Sequence, residues 1–221
     1  MRRKVVTIIT LAVVLAALVP VVYFGFPYLF ADSIYPPIPE EAAAAINDCA
    51  NLFGLDKSLL SAMILKESGF NQRAVSRAGA MGYTQLMPQT YRGLMSRVEE
   101  LQGLPDDPFD TKTNICAGTA HLAGLLGTYG GDETAALIAY NGGDAAAQRY
   151  LASQSTSGLV AETRAYAPRI LAARGFYQEV FKGGGGEVQS KPSNMEVKKP
   201  SDITKAFWKA FINDFFKSVV S

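Results

Sequence analysis

Residues 56–69, DKSLLSAMILKESG, decide the fold of this chain, because their apolar spacing predicts a single buried helix. Asp56 is a favoured N-cap residue, and Gly69 is of the type that commonly ends a helix. Three apolar residues precede Glu67 by seven, four and three positions: Leu60, Met63 and Ile64. Helical spacing therefore puts the Glu67 carboxyl on the core-facing side of the helix.

Glu67 is a candidate general acid. Burial disfavours the ionised form, so a carboxyl in this position should have a raised pKa and hold its proton near neutrality. A plainer interpretation remains open from these residues alone. In it the stem of Glu67 packs on the core while its head reaches solvent or an arginine such as Arg73.

Other segments follow the helix in a characteristic order. They are the pair Glu67 and Ser68, then 76–88 (SRAGAMGYTQLMP), 114–118 (NICAG), 139–143 (AYNGG) and 162–170 (ETRAYAPRI). Between about residues 40 and 182, this order and spacing resemble the soluble lytic transglycosylase (SLT) domain, a lysozyme-like glycosidase family. The resemblance implies a mainly α-helical, lysozyme-like domain, and no strand of useful length shows period-two alternation.

The resemblance also implies a reaction that uses one carboxylate, whereas most glycosidases use two. Glu67 would protonate the glycosidic oxygen between N-acetylmuramic acid and N-acetylglucosamine, while the muramyl N-acetyl group stabilises the positive centre. Acting next as a base, Glu67 would take the proton of the 6-hydroxyl, which closes onto C1 as a 1,6-anhydro ring. No cofactor and no metal is implied.

Six further residues occupy positions that line the sugar cleft in the family: Ser68, Gly82, Gln85, Tyr140, Asn141 and Tyr166. Tyr140 and Asn141 are expected to orient Glu67 or the acetamido group, and Gln85 and the backbone around Gly82 to border the sugar. Thr84 replaces a methionine that borders the cleft in the family, which leaves fine specificity open. Gly142 replaces the usual alanine.

Several other residues are expected to be structural. Glu162 should pair with an arginine such as Arg164 or Arg169 rather than act as a second catalytic group. Ser68 and the lone His121 are not expected to form a hydrolase dyad, because no nucleophile elbow surrounds Ser68. We expect Met81 and Met87 to fill the core and Tyr83 to be a packing aromatic.

Cys49 and Cys116 are the two cysteines of the chain. Small lytic transglycosylases of type IV secretion and conjugation machines, which the chain resembles here, often carry a cysteine in each of these two helices. A disulfide and two separate buried thiols both remain possible, because the Cα separation does not follow from sequence.

The first 31 residues predict a membrane anchor. Three basic residues precede residues 5–31, which carry no charge. At about 1.5 Å per helical residue this segment exceeds the roughly 30 Å of bilayer hydrocarbon. It lacks a good small-x-small cleavage site, which favours an uncleaved anchor over a signal peptide. The basic end should stay cytoplasmic, so the rest would face the periplasm or the outside of a bacterium.

The length and composition of the chain limit its possible architecture. The chain has 221 residues, of which 48% are hydrophobic, and a net charge of +1, so we expect one compact domain with appendages. No basic stripe with interleaved aromatics is present, so nucleic acid is not an expected partner. The predicted divisions are a catalytic domain at 36–182, a flexible linker at 183–202 and an amphipathic helix at 203–220.

The C-terminal helix has an aromatic face suited to a partner protein, the membrane surface or its own domain. The leading hypothesis is a lytic transglycosylase of the inner membrane that cleaves peptidoglycan strands. A narrower form of this hypothesis is that the enzyme opens the wall locally for a secretion or conjugation apparatus. The alternatives are a non-catalytic glycan-binding adaptor and a lysozyme-like hydrolase. Retention of Glu67 and Gln85, together with Tyr140 and Asn141, favours the enzyme. Thr84 leans toward the adaptor.

Overall fold

The computed structural model describes residues 35–182. The predicted anchor at 5–31, linker at 183–202 and amphipathic helix at 203–220 lie outside the described residues. Within 35–182, none of the helices has the length and apolar character needed to span a bilayer. Ile38–Lys182 forms one compact unit.

The described residues are mainly helical, as predicted. The helices are α1 (Glu40–Phe53), α2 (Lys57–Ser68), α3 (Pro88–Arg97), a 3₁₀ helix (Glu99–Leu101), α4 (Thr111–Thr128), α5 (Glu133–Gly142), α6 (Asp144–Ser153) and α7 (Ala161–Lys182). Isolated bridges join Met81 to Val75 and to Leu86 in the loop after α2. The helix predicted over 88–101 breaks at Val98, which has extended backbone angles, and continues as the 3₁₀ turn.

Local capping chemistry explains where several helices begin. The Asp56 side chain accepts a hydrogen bond from Ser58 N at 2.8 Å, and Asp132 accepts one from Ala135 N at 2.9 Å. Both aspartates were predicted as N-caps from sequence. Gly69 ends α2 in the left-handed conformation, with φ of 61°, also as predicted.

Helix α2 runs through the core. Leu59, Leu60, Met63 and Ile64 are almost completely buried. The helix packs chiefly against α7 and also against α1, while α5 packs against α4, α6 and α7. This arrangement brings the end of α2, which carries Glu67, beside helices α5 and α7.

Arg174 on α7 joins the N-terminal ends of two other helices. Its Nε donates to Asp56 Oδ2 at 2.7 Å, and its Nη1 donates to both carboxylate oxygens of Glu133 at 2.8 and 2.7 Å. Charge-assisted, multidentate bonds of this kind also fix geometry. Helices α2, α5 and α7 are therefore tied together at one end.

The buried amide of Asn114 on α4 organises the loop after α2. Its Oδ1 accepts hydrogen bonds from the backbone N and the Oγ1 of Thr84, both at 2.9 Å. Its Nδ2 donates to Met81 O at 3.1 Å and to Pro108 O at 2.7 Å. All of these atoms are therefore satisfied in a place where water is excluded.

Two glycines make this close approach possible. A Cβ on Gly82 would lie 2.3 Å from Asn114 Nδ2, and a Cβ on Gly118 would lie 2.4 Å from Thr84 Cβ. Gly82 also has a φ of 73°, which disfavours other residue types. The glycines of the GYTQ and NICAG segments are thus required by packing.

Cys49 of α1 and Cys116 of α4 form a disulfide, with a Cα separation of 4.9 Å. Both residues are buried. The bond links positions 67 residues apart, and it connects two helices that pack on each other.

Reducing this disulfide should lower the free energy of unfolding by about 2–4 kcal/mol, because the link restricts the unfolded chain. Denaturant unfolding with and without reductant measures the change. The C49A/C116A double variant serves as the control, since reductant should not alter its stability. Two alkylatable thiols in the oxidised, denatured protein would contradict the bond.

Candidate functional site

Glu67 lies half-buried in the last turn of α2 and is held by α7. The buried hydroxyl of Tyr166 donates a hydrogen bond to Glu67 Oε1. Lys66 Nζ lies 5.3 Å from the centre of the Tyr166 ring, on which it makes a cation–π contact. Arg73 lies over the Phe109 ring at 5.7 Å, and no ion pair joins Arg73 to Glu67 in the described structure. The Arg73 pairing that the plainer interpretation allowed is therefore not formed within the described residues.

The surroundings of Glu67 raise the pKa of its carboxyl. Burial is the largest cause, and the charge of Glu162 adds to it. The Tyr166 hydrogen bond and the charge of Lys66 act in the opposite direction. The carboxyl thus retains its proton more readily than an ordinary glutamate, while its ionised form still has stabilising partners.

Tyr140 on α5 completes the group around Glu67. Its hydroxyl donates to Thr84 O at 2.8 Å. Burial and the charge of Glu67 hold the pKa of Tyr140 and of Tyr166 well above the usual tyrosine value. Both phenols therefore remain protonated donors at neutral pH.

His121 packs against Tyr140, with 5.0 Å between the ring centres. Burial lowers the pKa of His121, so the ring is neutral at physiological pH. Ser68 Oγ donates to Ile64 O of its own helix at 3.2 Å. No hydrogen bond joins Ser68 to His121 among residues 35–182, which agrees with the structural role expected for His121.

Asn141 lies at the edge of a cavity of about 380 Å³ that Glu162 also lines. Its Oδ1 accepts a hydrogen bond from Thr163 Oγ1 at 2.8 Å. This bond fixes the orientation of the amide and leaves its N–H donors for another acceptor.

Gln85 and Gly82 shape the loop that supports Tyr140. Gln85 has a φ of 48°, and its Nε2 donates to Ala74 O at 3.1 Å and to Gly82 O at 2.9 Å. These bonds hold the turn that presents Thr84 O to Tyr140. The structure thus gives both residues a supporting role, and the sugar contacts expected from the sequence stay a prediction.

Thr84 is completely buried beneath Gly118, so its side chain borders no cleft. Two sequence-based expectations were wrong. Glu162 is exposed and makes no ion pair with Arg164 or Arg169 within the described residues. Met87 is 43% exposed and does not fill the core.

Of the predicted site residues, the structure brings Glu67, Tyr140 and Tyr166 into one electrostatically coupled group. Sequence reasoning missed Lys66, although its position directly before Glu67 was a usable signal. Among residues 35–182, no cluster of three or more histidine, cysteine, aspartate or glutamate side chains is arranged to hold a metal ion.

Comparison with known proteins finds relatives that are named lytic transglycosylases. Over 110 residues, the chain is 36% identical to a membrane-bound lytic murein transglycosylase C from Photorhabdus laumondii, covering 46% of this chain and 31% of that protein. An inactive mutant of the lytic transglycosylase Slt from Pseudomonas aeruginosa has a TM-score of 0.58 at 25% identity, covering 63% of this chain and 24% of that one.

The 70 kDa soluble lytic transglycosylase from Escherichia coli has a TM-score of 0.53 at 25% identity. That match covers 69% of this chain and 26% of the other. The chain therefore spans between about a quarter and a third of the length of these relatives.

A family model described as the transglycosylase SLT domain matches residues 44–159, which are 116 of the 221 residues. The match includes Glu67, the Asn114 segment and Tyr140 with Asn141. The chain belongs to the transglycosylase SLT domain family.

Proposed function

We propose that the chain is a peptidoglycan lytic transglycosylase. It cleaves the β-1,4 bond between N-acetylmuramic acid and N-acetylglucosamine and leaves a 1,6-anhydro muramyl end. The observation that carries this proposal is the half-buried Glu67 carboxyl, whose pKa is raised and whose Oε1 accepts from Tyr166. The names of the relatives support the same activity.

The first half of the reaction needs a proton donor. Because Tyr166 occupies Oε1 of Glu67, the transferable proton belongs on Oε2. From there it passes to the glycosidic oxygen, and the C1–O bond breaks. Asn141 has N–H donors to orient the carbonyl of the muramyl acetamido group, which stabilises the positive charge at C1.

The second half needs a base in the same place. After proton transfer, the Glu67 carboxylate is stabilised by the Tyr166 hydroxyl and by the charge of Lys66. Oε2 then accepts the proton of the muramyl 6-hydroxyl as that oxygen bonds to C1. One carboxyl thereby serves as acid and then base, and no water is consumed.

The adaptor alternative loses the feature that favoured it. Thr84 was the residue that leaned toward the adaptor, but its side chain is buried and hydrogen-bonded to Asn114. Its carbonyl still positions Tyr140. The substitution is therefore compatible with an active enzyme.

The proposed location is the bacterial inner membrane, with residues 5–31 as a single-pass anchor and the SLT domain in the periplasm or outside. The uncharged N-terminal segment and the membrane-bound relative support it. Residues 203–220 are the proposed contact with a secretion or envelope complex, in which the enzyme would open the wall locally.

Replacing Glu67 by glutamine should lower the cleavage rate at least about a hundredfold, because it removes the transferable proton while keeping the shape. The measurement is release of soluble products from purified sacculi by the full-length protein in detergent. Glu100→Gln, which changes an exposed glutamate on the 3₁₀ helix, is the matched control.

Mass spectrometry of the products separates the candidate activities. Anhydro muramyl ends support the lyase, reducing ends would identify a hydrolase, and intact sacculi with the wild-type protein would identify an adaptor. Near-normal turnover by Glu67→Gln would remove Glu67 from the mechanism.

The same variant should be more stable than the wild type at neutral pH. The pKa of Glu67 is raised in the folded state, so ionisation favours the unfolded state. The destabilisation grows as pH rises above the unfolded pKa and is complete above the folded one. The Tm of Glu67→Gln should therefore exceed that of the wild type at pH 7. The difference should shrink below about pH 4, near the ordinary glutamate pKa. A difference that grows on acidification would contradict the assigned direction.

Two neighbouring charges should shift the pH profile in opposite directions. Lys66→Gln removes a charge that lowers the pKa of Glu67, so the alkaline limb of kcat should move to higher pH. Glu162→Gln should move it to lower pH. Each shift should be below about one unit, because solvent screens charges near the surface. Equal shifts in one direction would show that the alkaline limb of kcat does not reflect the ionisation of Glu67.

A further inference from the structure

One face of helix α4 supports the residues around Glu67 from behind. Asn114, Gly118 and His121 follow one another at intervals of four and three residues, so they lie on the same side of the helix. Asn114 bonds to Thr84, and Gly118 lies against the same residue. His121 extends this face by one turn and packs on Tyr140, with 5.0 Å between the ring centres.

Two contacts hold the Tyr140 side chain. Its hydroxyl donates to Thr84 O at 2.8 Å, and the His121 imidazole packs on its ring at an interplanar angle of 45°. Tilted aromatic pairs of this kind stabilise a buried ring. The charge of Glu67 raises the pKa of Tyr140, so these two side chains interact electrostatically. His121 is therefore separated from the reacting carboxyl by one side chain.

Packing holds the His121 ring in place. Within residues 35–182, neither of its nitrogens has a hydrogen-bond partner. Burial alone accounts for the lowered pKa of His121, so no neighbouring charge reaches the ring. Tyr140 is the titratable group that faces it.

The charged residues of the elements packed against α4 interact elsewhere. Asp48 of α1 pairs with Lys112 of α4, and Glu133 of α5 pairs with Arg174. The other charged residues of α1, α3 and the 3₁₀ helix are exposed to solvent: Glu40, Glu41, Arg92, Arg97, Glu99 and Glu100. Among the described residues, none is therefore placed to stabilise an imidazolium at position 121.

We propose that His121 is a positioning residue: its neutral ring holds Tyr140 in place beside Glu67, and protonation of that ring slows the reaction. The inference rests on the proposed function. In the first half of that reaction Glu67 must hold a proton while C1 becomes positive. An imidazolium against Tyr140 opposes both, because like charges repel strongly where little water screens them and a nearby cation favours the ionised carboxyl.

This role gives the pH profile of kcat a second limb. Glu67 alone accounts for an alkaline limb, because it starts the reaction protonated and accepts a proton in the second half. It gives no reason for a fall in acid, whereas protonation of His121 does. We expect kcat of the wild type to fall about fivefold or more as the pH drops below about 6.5, the ordinary histidine pKa.

The test compares the ratio of kcat at acid and at neutral pH for full-length proteins in detergent, all acting on the same purified sacculi. His121→Phe keeps an aromatic ring against Tyr140 but cannot take a proton, so it should lose the fall in acid. His121→Ala removes the ring, so kcat should drop about threefold or more at every pH while KM changes little. Thr128→Ala changes an exposed residue of the same helix and should keep the wild-type profile.

A nuclear magnetic resonance titration supplies an independent measurement without turnover. His121 is the single histidine of the chain, so its signal needs no further assignment. With ¹³C-labelled histidine and tyrosine, the imidazole should titrate with the pKa of the acid limb. The Tyr140 ring signal, identified by its loss in Tyr140→Phe, should shift with the same pKa. Near-ultraviolet circular dichroism at each pH excludes unfolding as the cause.

An acid limb that survives in His121→Phe, or a wild-type profile without one, would overturn the role of His121. A Tyr140 signal that does not follow the imidazole titration would overturn it as well, whatever the products. The proposed function is judged separately. Anhydro products with a surviving acid limb would reject the His121 role alone. Absence of anhydro products at every pH would reject the activity, and the titration would still decide whether His121 acts on Tyr140.

Discussion

The side-chain amide of Asn114 holds together parts of the chain that lie 30 residues apart, and the site is built on that contact. It saturates the N–H and hydroxyl of Thr84, whose carbonyl then accepts from Tyr140. An unpaired amide in this water-free position would cost about 1–3 kcal/mol, so the loop has little freedom to rearrange. Gly82 and Gly118 follow from the same constraint, since a Cβ at either would collide with the pair.

The fold acts on the pKa of the Glu67 carboxyl in two opposite directions. Burial at the end of an apolar helix disfavours the carboxylate, and Tyr166 and Lys66 favour it. Burial without those partners would leave a base too poorly stabilised for the second half of the proposed reaction. Full exposure would leave an acid that has lost its proton at neutral pH. The stability that the wild type is predicted to lose at neutral pH is thus tied to the proposed proton-transfer role of Glu67.

Sequence predicted the elements whose causes are local. The Asp56 cap, the Gly69 stop and the burial of Leu60, Met63 and Ile64 depend on residues within a few positions of one another. The expectations for Met87 and Glu162 were wrong because the surroundings of these residues come from distant segments. Gly118 of α4 makes room for the buried Thr84, and no arginine within the described residues forms an ion pair with Glu162. Neither fact follows from helical spacing.

Arg174 shows why the geometry of the site was beyond sequence reasoning. It binds Asp56, 118 residues away, at the start of the helix that ends with Glu67. It also binds Glu133, at the start of the helix that carries Tyr140, and it lies on the helix of Tyr166. From Lys57 to Glu67, α2 rises about 15 Å. The pairing of Arg174 with Asp56 and Glu133 therefore fixes the three helices far from the carboxyl. It ties together the helices of Glu67, Tyr140 and Tyr166 while the Arg174 guanidinium stays away from the carboxyl, and the cation whose charge acts on Glu67 is Lys66.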